Sequence, residues 1–155
     1  MTLINSAANE NIKRWRKISE HPRGAKKIGT TLAEGIHLAE VICEKRPETR
    51  AVVVRENNVH PDVHALAERV AEETGAKFLT VADKLYDAVC PVENGTGIMV
   101  EVAVEFAQRP MQPIAEDALY LDGVQDAGNM GTLIRTALAA GVRHIAASSG
   151  SAGFY

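Results

Sequence analysis

Along residues 30–104 the apolar positions switch repeatedly between a two-residue and a 3.6-residue period, which predicts strands alternating with helices. A short strand at 30–33 meets a Glu34-Gly35 turn and a largely apolar helix at 36–44, closed by Pro47. The run RAVVVR at 50–55 predicts a buried strand. Residues 61–74 predict a helix, with Val63, Leu66, Ala67 and Val70 at i, i+3, i+4 and i+7 and Gly75 as its stop. A third strand follows at 77–81, a short helix at 83–89, and a fourth strand, IMVEVAV, at 98–104 after the glycine-rich turn at 94–97. This order predicts a mainly parallel sheet with helices on both faces, a three-layer α/β domain spanning residues 1–106.

Upstream of that pattern, Ser6 is placed to cap a helix reaching about Ser19, with Ala8, Ile12, Trp15 and Ile18 as its apolar stripe and His21-Pro22 as its end. At that spacing Trp15 reads as a core anchor, with stacking on a nucleic-acid base as the alternative. The basic segment from there to Gly29 predicts a loop. Downstream, residues 107–117 contain Pro110 and Pro113, lack periodicity and predict an interdomain linker. A strand at 118–121, a loop, a helix at 131–140 and a strand at 142–147 then make one βαβ unit within residues 118–155. Two parallel strands and one crossover helix cannot cover both faces of their sheet, so this unit is expected either to pack on the first domain or to be the incomplete start of a larger one.

Composition and charge narrow the function classes. With 46% hydrophobic and 24% charged residues the chain has ordinary globular proportions. No apolar run approaches the roughly 18–20 residues needed to span a bilayer, and the polar N-terminal stretch is unlike a signal peptide, so a cytoplasmic location is expected. Cys43 and Cys90 lack the spacing of a disulfide framework or zinc site and read as buried thiols. His60 and His64, four apart at a helix start, lack a third ligand and read as surface residues; no metal site is expected.

The net charge of −3 argues against binding by global charge, but the distribution is uneven. Residues 11–30 hold Lys13, Arg14, Arg16, Lys17, Arg23, Lys26 and Lys27 against Glu20, a local balance of 7 − 1 = +6, which leaves −9 for the rest. Such a patch can neutralise backbone phosphates; a solvated helix face is the plainer reading of the same run.

The chemistry-bearing stretch is LDGVQDAGNMGTLIRTALAAG, residues 121–141. Glycines between a strand and a helix suggest a phosphate cradle. Yet Asn129 and Met130 stand where a P-loop needs Lys and Ser or Thr, and only Gly128 and Gly131 of a dinucleotide fingerprint are present. What remains is N-x-G-x-x-x-R: Asn129, Gly131 and Arg135. Gly131 is expected to turn the loop tightly into the helix, and all three residues to face one place while Leu133, Ile134, Ala137 and Leu138 pack on the sheet. Arg135 then either meets an anion or salt-bridges Asp122 or Asp126.

The run from Leu121 to Val142 resembles the first motif of the SpoU (TrmH-type) RNA ribose 2′-O-methyltransferases of the SPOUT class. Residues 32–42, LAEGIHLAEVI, and Gly97-Ile98-Met99 resemble the substrate-binding domain found before that catalytic domain, which in its alternating layout is similar to kink-turn-binding ribosomal proteins. The resemblance implies a ribosomal-protein-like three-layer α/β substrate-binding domain followed by the first βαβ unit of an α/β-knot methyltransferase domain. It also implies methyl transfer from S-adenosylmethionine to a ribose 2′-hydroxyl of tRNA or rRNA by a homodimeric protein.

In that family the Arg matched by Arg135 is proposed to orient or deprotonate the hydroxyl, with the Asn matched by Asn129 lining the site and Gly128 and Gly131 shaping the loop. Glu34 and Gly35 fall in the matched Glu-Gly turn and join the basic segment as expected substrate contacts. Family members continue for about a hundred residues beyond this motif, the size of a complete domain, through two motifs that bind the cofactor. The chain is therefore expected to be truncated and inactive alone, with no cofactor-binding residue to carry over. An RNA-binding module without catalysis is the alternative, and a nucleotide-binding regulator using the Gly123 to Gly131 loop a weaker third.

Overall fold

The computed structural model describes residues 2–21, 25–57, 59–104 and 115–152. They fall in two compact units, Met1–Glu105 and Phe106–Tyr155. The expected linker prolines Pro110 and Pro113, and Arg23, lie outside the described residues.

The first unit contains β1 (Thr2–Ile4), α1 (Glu10–Glu20), α2 (Ala25–Ile28), β2 (Thr30–Glu34), α3 (Ile36–Lys45), β3 (Thr49–Arg55), α4 (Pro61–Thr74), β4 (Lys77–Val81), α5 (Asp83–Val89) and β5 (Ile98–Ala103). Its five strands form one sheet in the order β1-β4-β3-β5-β2. The pairs β1–β4 and β3–β4 are parallel, whereas β5 runs antiparallel to both β3 and β2. The seven-residue α5 and the turn after it return the chain to the end of the sheet where β4 finished, so β5 enters reversed.

Strand alternation sends side chains to two separate cores, giving three layers. On one face Ile12, Trp15 and Ile18 of α1 and Tyr86 and Val89 of α5 pack on Ala51, Val53, Leu79, Val81 and Met99. On the other, Ala39 and Ile42 of α3 and Val63, Leu66, Ala67 and Val70 of α4 cover Val52, Val54, Ile98 and Val100. The continuous apolar run of β3 follows from this double burial: Val52, Val53 and Val54 are all fully buried.

Three local expectations need correction. The first helix is capped by Asn9, whose side chain accepts the Asn11 N–H at 2.9 Å, so Ala8 precedes the helix and is exposed. Ser6 instead accepts the Ala8 N–H. The segment before Gly29 contains the short helix α2, not only loop, and Thr2–Ile4 adds an edge strand too short to register as a periodic pattern.

The second unit holds β6 (Ala118–Leu121), α6 (Ala127–Ala139) and β7 (His144–Ala147), with β6 and β7 parallel. It is a single βαβ turn. Met130 and Ala137 are the buried side of α6; Leu133 and Leu138, expected on the sheet, are exposed, as is Tyr120 of β6.

Candidate functional site

The basic run is carried by α1, which is anchored by a buried acid. Glu101, inside β5, is fully buried, and its carboxylate accepts four hydrogen bonds. Arg14 donates through Nε at 2.8 Å and Nη2 at 2.7 Å, Trp15 through Nε1 at 2.8 Å, and the Thr30 hydroxyl at 3.0 Å. Burial pushes the carboxyl up, but the bonds from Arg14 and Trp15, the Arg14 charge and the Thr30 hydroxyl outweigh it and hold Glu101 below the usual carboxylate range. The bond to Glu101 raises Arg14 further.

This geometry reassigns Arg14 and bears out the reading of Trp15. Arg14, expected among the phosphate contacts, spends its bidentate edge on Glu101. Trp15 is a core anchor with its indole N–H satisfied, which removes it from base stacking.

The outward side of α1 remains basic. Lys13, Arg16 and Lys17 are exposed, and with Glu10, Arg14, Glu20 and Ile28 they line a shallow cleft of about 600 Å³. Lys13 pairs with Glu10 at 2.7 Å, but both are exposed, so the pair does not sequester the ammonium. Lys27 is exposed on α2, the helix that also carries Lys26.

Glu34 and Gly35 are occupied in bracing the fold. The Glu34 carboxylate accepts the Thr96 N–H at 2.5 Å and the Thr96 hydroxyl at 3.0 Å. Gly35 adopts φ 114°, a backbone conformation side chains rarely permit, as the cap of α3. Its N–H donates to the Ile98 carbonyl at 3.1 Å, and together these bonds fasten the β2–α3 turn to the segment entering β5.

In the second unit α6 begins earlier than expected. Asp126 is its cap and accepts the Asn129 N–H at 2.7 Å, so Gly128, Asn129 and Gly131 lie within the helix and not in a loop before it. Gly131 consequently has no turn to make. Its role is to leave room: a Cβ there would stand 3.1 Å from Nη1 of Arg135, whose side chain folds back along the helix toward its N-terminus. Arg135 Nη2 donates to the Thr132 hydroxyl at 3.2 Å, and that hydroxyl donates to the Gly128 carbonyl at 2.9 Å.

Among the described residues Arg135 makes no ion pair with Asp122 or Asp126, and both Arg135 and Asn129 are exposed. Arg135 shares a face with Gly131. Asn129, six residues earlier, projects about 120° away around the helix, so the three residues do not share one face.

The turn before α6 is held by serines that periodicity does not register. Ser148 Oγ accepts the Gly123 N–H at 3.0 Å, and the buried Ser151 Oγ accepts the Val124 N–H at 3.2 Å and donates to the Leu121 carbonyl at 3.2 Å. Glu101 is the other residue that sequence reasoning passes over, and a lone acid inside the apolar run IMVEVAV is the available signal.

The histidines are local: His60 Nδ1 accepts the Asp62 N–H at the start of α4, and His64 lies beside Phe78. No group of three or more His, Cys, Asp or Glu side chains among the described residues is arranged to hold a metal ion. Cys43 and Cys90 are half-buried free thiols, and burial pushes the Cys90 thiol up.

Comparison with known proteins gives this geometry a family. Residues 9–100 match the model of the MRM3-like substrate binding domain. The 23S rRNA (guanosine(2553)-2′-O)-methyltransferase RlmP of Bacillus subtilis is 31% identical over 153 residues, covering 98% of this chain and 56% of that protein. An uncharacterized tRNA/rRNA methyltransferase of Synechocystis is 30% identical over 146 residues, covering 92% of this chain and 51% of its own length.

Among solved structures, an rRNA methyltransferase from Sinorhizobium meliloti shares the fold with a TM-score of 0.75 at 23% identity, over 98% of this chain and 56% of that one. The SpoU methyltransferase AviRb of Streptomyces viridochromogenes, solved with AdoMet, does so with 0.74 at 16%, over 95% and 56%. The chain thus spans about half the length of the curated relatives it matches. It belongs to the MRM3-like substrate-binding domain family and is a homologue of the SpoU/TrmH-type RNA methyltransferases.

Proposed function

We propose that the first unit binds RNA through the outward face of α1, and that the whole protein is a homodimeric, S-adenosylmethionine-dependent RNA ribose 2′-O-methyltransferase acting on rRNA or tRNA. The observation that carries the binding role is the division of cations on α1. Arg14 is half-buried, its guanidinium engaged by Glu101, and fixes the helix, while Lys13, Arg16 and Lys17 stand exposed on one cleft. A rigid helix presenting mobile cations is suited to the repeating charge of a sugar–phosphate chain. RlmP, by its name a 23S rRNA 2′-O-methyltransferase, favours rRNA as the substrate class.

Arg135 supplies a permanent positive charge on the exposed side of α6. A guanidinium is a poor proton acceptor, which makes contact with a phosphate, or stabilisation of charge developing on a ribose oxygen, physically easier than removal of a proton. Bonding to Thr132 sets the guanidinium along the helix and leaves its other N–H groups for such a contact. Asn129 would contribute from the neighbouring face.

The described residues do not fit S-adenosylmethionine by themselves. Among the described residues the β6–α6–β7 unit leaves Tyr120, Leu133 and Leu138 exposed, and the α1 cleft is lined by residues of the first unit alone. That supports the second reading, RNA binding without catalysis, for residues 1–155 taken alone.

Fluorescence anisotropy of a 23S rRNA transcript and of bulk tRNA, titrated with residues 1–155 at several salt concentrations, tests the binding role. K13E/R16E/K17E is expected to weaken binding and to flatten the salt dependence by about two to three in log–log slope, at about 0.7–0.9 for each phosphate no longer neutralised. Unchanged affinity and slope would remove α1 from the interface. Transfer of a labelled methyl group to RNA by the whole protein, lost in Arg135→Ala, separates the enzyme from the binding module.

A further inference from the structure

A second cationic recess lies on the same side of the first unit and is not used by the outward face of α1. It has a volume of about 290 Å³ and opens between α1 and the first residues of β3 and β4. Its polar lining is Asn11, Arg14, Arg50, Lys77 and Glu101, above an apolar floor that includes Leu79. Three cations against one carboxylate leave a balance of 3 − 1 = +2, and that carboxylate is already consumed by Arg14, Trp15 and Thr30.

Arg50 and Lys77 are exposed and form no ion pair among the described residues, unlike Arg46, which pairs with Glu73, and Arg55, which pairs with Asp83 and Asp87. Backbone irregularity brings them together. Lys77 is in register with Ala51, and the pairing of β3 with β5 shifts between Thr49 and Ala51. Strict alternation would send Arg50 and Ala51 to opposite faces; at the bulge both line this recess. Asn11 adds neutral donors, because its Oδ1 accepts from Arg14 Nη2 at 2.8 Å and its amide N–H groups remain for a ligand.

Arg14 lines both this recess and the larger α1 cleft, so the two are consecutive stations along one surface. A ligand with a single charge would use one station. A polymer with a charge at every repeat would use both.

Building on the RNA-binding role of α1, we propose that Arg50, Lys77 and the Asn11 amide hold a backbone phosphate of the same RNA strand, which passes from the α1 face over Arg14 to the end of the sheet where β3 and β4 begin. The contact positions the strand without reading its sequence.

The test compares residues 1–155 with R50Q/K77Q, with R16E/K17E and with both sets combined. A 23S rRNA transcript is the probe, titrated by anisotropy across a salt series, and Trp15 fluorescence confirms that each variant is folded. For R50Q/K77Q the expected result is a loss of about 0.7–0.9 in the log–log salt slope, the share of one phosphate, and weaker binding at every salt concentration, additive with R16E/K17E. Wild-type affinity and slope in R50Q/K77Q, alongside impaired R16E/K17E, would overturn the recess while leaving the α1 reading intact. Impairment confined to R50Q/K77Q would keep the recess and overturn the α1 reading. Failure of the wild-type chain to bind RNA would overturn both. Uptake of labelled inorganic phosphate that is lost in R50Q/K77Q, with RNA affinity and salt slope unchanged in that variant, would reassign the recess to free phosphate and overturn the strand path.

Discussion

Replacing Glu101 by Gln tests whether α1 is held by its buried acid. The change keeps the shape but removes the charge and turns one acceptor oxygen into a donor amide. In the native arrangement every partner of Glu101 is a donor: two N–H groups of Arg14, the Trp15 indole and the Thr30 hydroxyl. The new amide must therefore face a donor at 2.7–3.0 Å or swing away and leave one unpaired. Breaking a buried ion pair from one side costs about 3–5 kcal/mol. The Arg14 side chain is 29% exposed and can recover water, which places the expectation near the lower end, about 3 kcal/mol. With a urea m-value of about 1.5 kcal/mol/M, that is a midpoint lower by about 2 M. The assay is intrinsic to the molecule, because Trp15 is the lone tryptophan and its indole bonds to Glu101, so its emission reports the first unit. A midpoint shift under about 0.5 M at unchanged m would refute the anchoring role.

Acid should expose the same network. A carboxyl depressed in the folded state contributes fully above its unfolded value and loses that contribution as pH falls through the folded one. The Trp15-monitored stability should therefore decline below the ordinary carboxyl value of 4.5, and less steeply in E101Q; parallel curves would contradict this. Gly131→Ala is expected to raise the stability of the second unit by up to about 1 kcal/mol, since the crowding atom is the movable end of Arg135, and to lower methyl transfer by the whole protein by displacing that guanidinium. A destabilisation of more than about 1 kcal/mol by thermal melting would show that Arg135 cannot yield. Calorimetry of residues 1–155 with S-adenosylmethionine should register no binding heat, and micromolar affinity would overturn the view that these residues lack the cofactor site.

The parts of the fold legible in the sequence are those decided by local periodicity. The four apolar positions of α4 are all buried, and β3 and β4 form where their apolar runs predict. Helix boundaries are less legible at α6. Two glycines before Arg135 look like a loop, but Asp126 caps the helix ahead of them, and a capped first turn tolerates glycine. That displacement matters chemically. It moves Asn129 off the face of Arg135 and changes the meaning of Gly131 from a hinge to a groove for a side chain.

The basic run shows where local reading stops. Seven cations against one acid identify a cationic segment, but they do not say which cations are available. The answer depends on a residue 87 positions away, because Glu101 takes Arg14 out of the surface set. It depends equally on Arg50 and Lys77, neither of which belongs to a charge run, yet which strand pairing brings to the recess that Arg14 also lines. The surface offered to an anion therefore differs from the cluster seen in the chain at both ends: it loses Arg14 as an independent contact and gains two cations from the sheet. Charge counting finds a cationic side of the domain, while the tertiary partners of each cation decide which of them a phosphate could reach. Mutating the run as a block, Arg14 included, would thus confuse lost binding with lost folding. Variants that spare Arg14 and reach across to Arg50 and Lys77 keep the two effects apart.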